Sequence, residues 1–320
     1  MKTIRKVYLS GLGAIGSSYA DLLYKMDPDC IKIIASKERI QRYTRNGIFV
    51  NEKRIPFQFI RPEEDVPPAD LIIIAVKHHQ LQQAIRDIRN FVGKETIILS
   101  LLNGIVSEEL VGQEFGMDKM LYSFVVATDA VREGTHVHFS KVGTVYFGDK
   151  YNKNYSPKVV SVKDLFDRFG IPYIIPENMI YELWWKFGMN VGINQTSAVL
   201  RASYGVFQKF EEARDIMQKA CNEVVQISQK AGIGLSEDSI ERYFNVMKTL
   251  SPEGKTSMLQ DVEAGRKTEV EIFAGTVIEL GCKYGVPTPV NEMLYKMIHI
   301  IEGTYPSDKS AGRMEETYEI

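Results

Sequence analysis

The chain opens on an apolar stretch, Ile4 to Leu9, and then alternates short apolar runs with segments of helical period. Ile31 to Ala35, Leu71 to Val76 and Thr96 to Leu101 are short and continuous, the pattern of strands buried on both faces. Glu38 to Arg45 and Gln80 to Phe91 lie between them and read as helices. Such alternation predicts a parallel, doubly wound α/β sheet with helices on both faces. Pro56, Pro62, Pro67 and Pro68 predict a loop-rich antiparallel excursion before Leu71 that leaves this order intact. Two short alternating runs between Thr135 and Phe147, flanking Gly143, predict a hairpin at the edge of the domain.

Past Pro172 and Pro176 the pattern changes to long helical segments: Ile180 to Ala198, Phe207 to Ala231, Glu237 to Lys248, Ser257 to Ala264 and Val270 to Tyr284. No strand alternation returns. The expected organisation is therefore an α/β domain over residues 1–175 and an all-helical domain over 176–320, with a tail from Pro306 whose Ser, Gly, Lys and Glu content predicts fraying.

Composition narrows the partners more than the fold. The 320 residues suffice for two domains, and 44% hydrophobic with 25% charged residues is ordinary for a globular protein. A formal net charge of −2 offers no general attraction to nucleic acid or to an anionic membrane. No apolar run approaches the ~20 residues of a membrane helix, and Met1 to Lys6 lacks a secretory apolar core, so a cytoplasmic protein acting on a small molecule is expected. Cys30, Cys221 and Cys282 are scattered and suit reduced packing residues. His136 and His138 share a strand face without a third ligand in view, which favours an ordinary solvated face over a metal pair, and no metal is expected.

The candidate chemistry begins where the first strand ends. Gly11, Leu12, Gly13, Ala14, Ile15 and Gly16 form a G-x-G-x-x-G between strand and helix. In a dinucleotide site Gly11 makes the turn, Gly13 admits a pyrophosphate to the backbone, and Gly16 lets helix and strand approach, with the phosphates on the free N–H groups of the helix start. Glycine-rich turns also occur as plain connections. About 20 residues on, an acidic residue would bind the ribose hydroxyl of NAD and a basic one the 2′-phosphate of NADP; this chain has Ser36, Lys37, Glu38 and Arg39. A hydroxyl flanked by two cations favours NADP. The other reading makes Lys37, Glu38 and Arg39 the solvated first turn of the next helix.

Three further groups carry polar residues to ligand-facing places. Lys77, followed by Gln80, comes directly after the run ending at Val76, and Asn103-Gly104 follows the strand ending at Leu101, all at the carboxyl edge of the sheet. Asn-Gly is otherwise an ordinary turn. Lys186, Asn190 and Asn194 fall at i, i+4 and i+8 on a helix rich in Trp184, Trp185, Phe187 and Met189, a polar stripe that suggests a lined cleft over a solvated face. An amine partly desolvated in a cleft is pushed down toward the range useful to a general acid. Ser257-Met258-Leu259-Gln260-Asp261 leads to Arg266, Thr268 and Glu269, where Glu269 could orient the lysine or take a substrate hydroxyl; alone, Thr268 and Glu269 read as a helix start.

These five separated blocks resemble the ketopantoate reductase (2-dehydropantoate 2-reductase) family in order and spacing over nearly the whole chain. The resemblance implies an N-terminal Rossmann-type, NADP-binding domain and a C-terminal all-helical substrate domain. It implies NADPH-dependent reduction of a 2-keto acid, ketopantoate to pantoate, in pantothenate and coenzyme A biosynthesis. It makes Lys186 the general acid and Glu269 its support and a substrate ligand; Asn190, Asn194 and Ser257 contact substrate, while Lys77 and Asn103 face cofactor and active site. It leaves room for a homodimer through the helical domain. Many members carry an arginine where Ser36 stands, so Lys37 or Arg39 must take its place on the 2′-phosphate if NADP is used. A β-hydroxyacid dehydrogenase is the nearest alternative, but Asn178 to Trp185 lacks that class's glycine-rich approach to the lysine. A non-catalytic NADP sensor would have lost Lys186 or Glu269.

Overall fold

The computed structural model describes residues 3–305, and the tail from Pro306 lies outside the described residues. They form two compact units that divide between Phe187 and Gly188, with Ile233–Leu235 grouped with the first.

The first unit opens with β1 (Val7–Ser10), α1 (Ala14–Met26), β2 (Ile31–Ile34) and α2 (Lys37–Asn46), followed by the short strands β3 (Phe49–Val50), β4 (Lys53–Arg54) and β5 (Gln58–Ile60). It continues through β6 (Leu71–Ile74), α3 (Leu81–Ile88), β7 (Ile97–Ser100), α4 (Ser107–Phe115) and β8 (Met120–Val126). It ends with β9 (Val131–Glu133), β10 (His136–His138), β11 (Thr144–Gly148), α5 (Pro157–Phe169) and β12 (Tyr173–Ile174). The main sheet has the order β12-β11-β8-β7-β6-β1-β2-β5. All of its neighbours are parallel except β11 with β8. β1 pairs with β2 on one side and β6 on the other, so the winding reverses at β1, the place where open α/β sheets bind ligands.

Two-sided burial explains why the strand sequences are continuous runs. Val7 and Leu9 pack with Tyr19, Leu23, Leu165 and Phe166 on one face. Tyr8, Ile72 and Ile74 pack with Leu81, Ile85 and Ile88 on the other. Each such side chain contributes roughly 1.5–3 kcal/mol by leaving water.

The expected hairpin between Thr135 and Phe147 does not form. β10 instead pairs antiparallel with β9 and parallel with β3 in a separate four-stranded sheet, while β11 joins β8. Gly143, at φ +88, lies where a Cβ would stand 2.7 Å from the Val126 carbonyl oxygen, so the chain turns there toward β8 and away from β10. His136 and His138 are exposed, His136 stacked on Phe49 and His138 beside Glu52, and no group of three metal-ligating side chains occurs among the described residues.

The second unit is helical: α6 (Met179–Leu200), which begins in the first unit, then α7 (Tyr204–Lys209), α8 (Glu211–Lys230), α9 (Glu237–Thr249), α10 (Ser257–Glu263), α11 (Ala274–Tyr284) and α12 (Pro289–Gly303). The compact division falls inside α6, whereas the sequence places a boundary near residue 175. The residues around 175 are tied to the sheet: β12 lies between Pro172 and Pro176 and pairs with β11, and Met179 and Leu183 of α6 pack with Tyr122 and Phe124 of β8. The single helix expected from Phe207 to Ala231 breaks at Phe210, whose backbone is extended. The segment expected as a helix from Val270 is a 3-10 turn, Val270–Ile272, before Phe273 interrupts it. Helix α12 adds an element to those the hydrophobic pattern predicts. A proline at its first helical position, Pro289, is a sequence signal for a helix start. Its cap, however, comes from α8, where the Glu223 carboxylate accepts from the N–H groups of Val290 at 2.8 Å and Asn291 at 3.1 Å.

No helix among the described residues is long and apolar enough to cross a membrane.

Candidate active site

The turn from β1 into α1 is shaped by backbone crowding. Gly11 has φ +109, and a Cβ there would stand 2.5 Å from the Ala75 carbonyl oxygen just past β6. A Cβ on Gly16 would overlap the Gly11 carbonyl oxygen and come within 3.2 Å of the Ala75 Cβ. Both glycines are thus required by the fold. Gly13 differs: a Cβ there would meet the Ala75 carbonyl oxygen at 3.7 Å, an ordinary contact. Gly13 is the N-cap of α1, no side chain caps this helix, and its first turn has no acid. The start of α1 therefore presents N–H groups without a side-chain acceptor, the arrangement that takes an anion. Leu12 is buried, and Ala14 and Ile15 are half-buried.

At the end of β2, Ser36 is the N-cap of α2 and its hydroxyl accepts from the Arg39 N–H at 3.4 Å. Lys37 and Arg39 are exposed. The Glu38 carboxyl is held below its ordinary range by its own backbone N–H and by Ser36. Lys77 and Gln80 are half-buried in a 3-10 turn closed by a bond from the Gln80 N–H to the Lys77 carbonyl at 2.9 Å. This turn follows Ala75 and so begins beside Gly11.

Asn103 lies in the β7–α4 loop, ahead of Gly104 at φ +91. Lys186, on the part of α6 that belongs to the first unit, donates from Nζ to Asn103 Oδ1 at 3.0 Å. The ammonium also lies 5.2 Å from the centre of the Phe124 ring, within cation–π range. Phe124 is itself stacked on Tyr146. Lys186 is 8% exposed, so it is not a solvated helical lysine.

In the second unit, Asn190 and Asn194 are also buried. Asn194 Nδ2 donates to Asn190 Oδ1 at 3.2 Å, and Asn194 Oδ1 accepts from the Ser257 hydroxyl at 3.2 Å and the Met258 N–H at 3.3 Å. The start of α10 holds Ser257 here because Thr256 caps it, accepting from the Leu259 N–H at 3.1 Å. Asp261 binds Arg266 at 2.9 Å. Glu269 is buried and occupies the N-cap position of the 3-10 turn without making a cap hydrogen bond; Thr268 Oγ1 accepts from the Val270 N–H instead.

The predicted site residues thus form two observed groups, Lys186 with Asn103 in the first unit and Asn190, Asn194 and Ser257 in the second. The sequence reading missed Glu108 and Phe124. Burial pushes the Glu108 carboxyl up to about 7, against the lowering pull of Ser107, backbone N–H groups and the Lys186 charge. In sequence, Glu108-Glu109 looks like a routine acidic first turn, and only the packing of α4 against β8 distinguishes the buried member from the exposed one.

Two family models match this sequence, "Ketopantoate reductase PanE/ApbA" over residues 7–152 and "Ketopantoate reductase PanE/ApbA C terminal" over 178–302. The chain is 28% identical over 300 residues to a 2-dehydropantoate 2-reductase of Streptococcus pyogenes serotype M6, covering 92% of this chain and 97% of that one. Its fold matches a D-mandelate dehydrogenase solved with NADH and anilino(oxo)acetate, at TM-score 0.83 and 23% identity over 94% of this chain and 99% of that one. It also matches a PanE/ApbA family ketopantoate reductase from Ralstonia eutropha JMP134, at TM-score 0.81 and 22% identity over 93% and 98% of the two chains. One model lies on the α/β part and the other on the helical part, in the order in which the motifs occur, and the chain belongs to the ketopantoate reductase family, oxidoreductases that act on a CH–OH group.

Proposed function

We propose that this protein reduces a 2-keto acid with NADPH, that the keto acid is 2-dehydropantoate, and that the product pantoate feeds pantothenate and coenzyme A synthesis. The observation that carries the reading is Lys186, a buried lysine with its Nζ fixed on Asn103 Oδ1 at 3.0 Å. The name of the Streptococcus pyogenes relative supports the choice of substrate.

A nicotinamide dinucleotide fits the β1–α1 turn, because Gly13 has room that the fold itself does not need and the α1 start has no side-chain cap. Bound there, it would supply the hydride equivalent that converts a keto carbon to a carbinol. Lys186 holds a proton at Nζ and gives it to the keto oxygen as negative charge develops, which completes the alcohol and leaves the amine neutral until it takes a proton from water. Asn103 aims the ammonium by accepting one of its protons. Asn190, Asn194 and Ser257 supply neutral polar contacts to substrate, and Glu269 a charged one. General acid catalysis of this type contributes roughly 10²–10⁴-fold. A homodimer through the helical unit is part of the proposal.

Tighter binding of NADPH than NADH is expected, with Lys37 and Arg39 neutralising the 2′-phosphate. Ser36→Asp should reverse the preference without unseating α2, because Asp caps a helix as well as Ser does while its charge repels a phosphate. Quenching of Trp184 and Trp185, which precede Lys186 on α6, gives both affinities by titration. Equal wild-type affinities would mean that Lys37 and Arg39 are only a solvated turn.

Glu269 is buried where the 3-10 turn begins, and its substitution separates a substrate ligand from a helix start. Glu269→Gln should leave Tm nearly unmoved yet raise KM or lower kcat by roughly tenfold, as a charge-assisted hydrogen bond becomes a neutral one. A lowered Tm with unchanged kinetics would make Glu269 a structural residue.

A further inference from the structure

Beside the Lys186–Asn103 pair lies a closed set of buried polar groups with no part in the proposed reaction. Ser100 ends β7, Ser107 and Glu108 open α4, and Ser123 sits in β8; all four are 1% exposed or less. The Ser100 hydroxyl donates to Ser107 Oγ at 2.8 Å, and the Ser107 hydroxyl donates to Glu108 Oε2 at 2.8 Å. The Ser123 N–H reaches Glu108 Oε1 at 3.4 Å, and the Ser123 hydroxyl closes the ring on the Ser100 carbonyl at 2.7 Å. The ring ties two strands to the first turn of α4, and the loop it pins at both ends carries Asn103.

A carboxylate is a costly choice for such a place. A buried hydroxyl or amide could close the same ring, whereas an ionised carboxyl taken out of water needs a compensating charge. The Lys186 charge pulls the carboxyl down, alongside the stronger pull of the Ser107 hydroxyl and of backbone N–H groups. The neighbouring titratable group on β8 is Tyr122, whose phenol burial and the charges of Glu108 and Glu109 push up to about 12, so it stays neutral and does not compete.

We propose that Glu108 is a positioning residue for Lys186: its carboxylate closes the serine ring that fixes the Asn103 loop, and its charge keeps the Lys186 ammonium protonated until the keto oxygen takes the proton. The proposal rests on the reading of Lys186 as the general acid, and it adds a second acid that never touches substrate.

The Glu108 carboxyl rises from an ordinary 4.5 to about 7 in the folded protein, so its protonated form is the one the fold favours. The stability it contributes is fully present below 4.5 and is lost as pH rises through 7. Above that, the ionised form supports Lys186, and removing it must lower the pH at which the amine loses its proton.

Glu108→Gln keeps the shape and one acceptor of the ring while deleting the charge. Its Tm relative to wild type should rise between about pH 5 and pH 8, which reports the carboxyl's own titration. The alkaline limb of the kcat profile should move to lower pH, the direction expected when a nearby opposite charge is lost. The Nζ resonance of ¹⁵N-labelled Lys186, assigned with Lys186→Arg, should titrate lower by a similar amount whether or not any keto acid is turned over. An unmoved Nζ titration overturns the proposal. If no 2-keto acid is reduced by the wild type but the Nζ titration moves, the Glu108–Lys186 coupling stands and the proposed reaction fails. Should Glu108→Gln not fold, Ser107→Ala breaks the ring and keeps the charge: kcat should fall at least severalfold with NADPH affinity unchanged, and an unaltered kcat overturns the proposal.

Discussion

Lys186→Ala should lower kcat by roughly 10²-fold or more, the loss expected when a general acid is removed from a reaction that builds an alkoxide. Dinucleotide affinity should change little. Lys186→Arg separates two explanations for such a loss. A guanidinium keeps the positive charge and can still donate to Asn103 Oδ1, but it does not release a proton in the working range. If Lys186 acted only as a charge, the arginine variant would recover much of the rate; as a proton donor it should stay within about tenfold of the alanine variant. Near wild-type kcat in Lys186→Ala would remove this residue from the mechanism.

The second large effect concerns the β1–α1 turn and divides its glycines into two kinds. Gly16→Ala forces a methyl into the Gly11 carbonyl, which is backbone and cannot swing aside. Overpacking of this sort costs about 1–3 kcal/mol or more, so Tm should fall by several degrees and dinucleotide binding should be lost with the turn. Gly13→Ala meets nothing closer than 3.7 Å and keeps φ at −74, an ordinary value. Its stability cost should be no more than about 1 kcal/mol, the price of a poorer N-cap. Its dinucleotide affinity should nonetheless fall tenfold or more, because the methyl would occupy the space through which phosphate approaches the backbone. Melting and fluorescence titration on the two variants check this directly. Equal losses of stability, or a Gly13→Ala protein that binds normally, would mean that the turn is only a connection.

What the sequence disclosed, and what it hid, follows from the range of the forces involved. The strand–turn–helix at Gly11 to Gly16 is a local pattern with local causes, as are the buried runs of β2, β6 and β7, and all were legible. The burial of Lys186, Asn190 and Asn194 on one helix is what helical spacing among bulky apolar neighbours foreshadows. Pairing partners were less legible. The strands containing His136 and Thr144 look like a hairpin in one dimension, yet Gly143 sends them to different sheets. The helix breaks at Phe210 and Phe273 come with no proline to announce them. Glu108 is the clearest case. Its neighbour Glu109 is exposed, its own burial depends on β8 and on two serines from other elements, and nothing within a few residues of it carries that information.

Steady-state oxidation of NADPH by the purified protein against a panel of 2-keto acids tests the proposed activity most directly. The panel should include 2-dehydropantoate, straight-chain 2-keto acids and an aromatic one of the mandelate type, each run also with NADH, together with 3-hydroxy acids in the oxidative direction. The expected result is rapid consumption of NADPH with 2-dehydropantoate as the best substrate, slowed roughly 10²-fold or more in Lys186→Ala. A preference for the aromatic keto acid with NADH would assign the chain a different 2-keto acid, and oxidation of 3-hydroxy acids would assign the other dehydrogenase class. Tight NADPH binding with no turnover of any panel member would contradict the reductase reading and leave a nucleotide-binding protein.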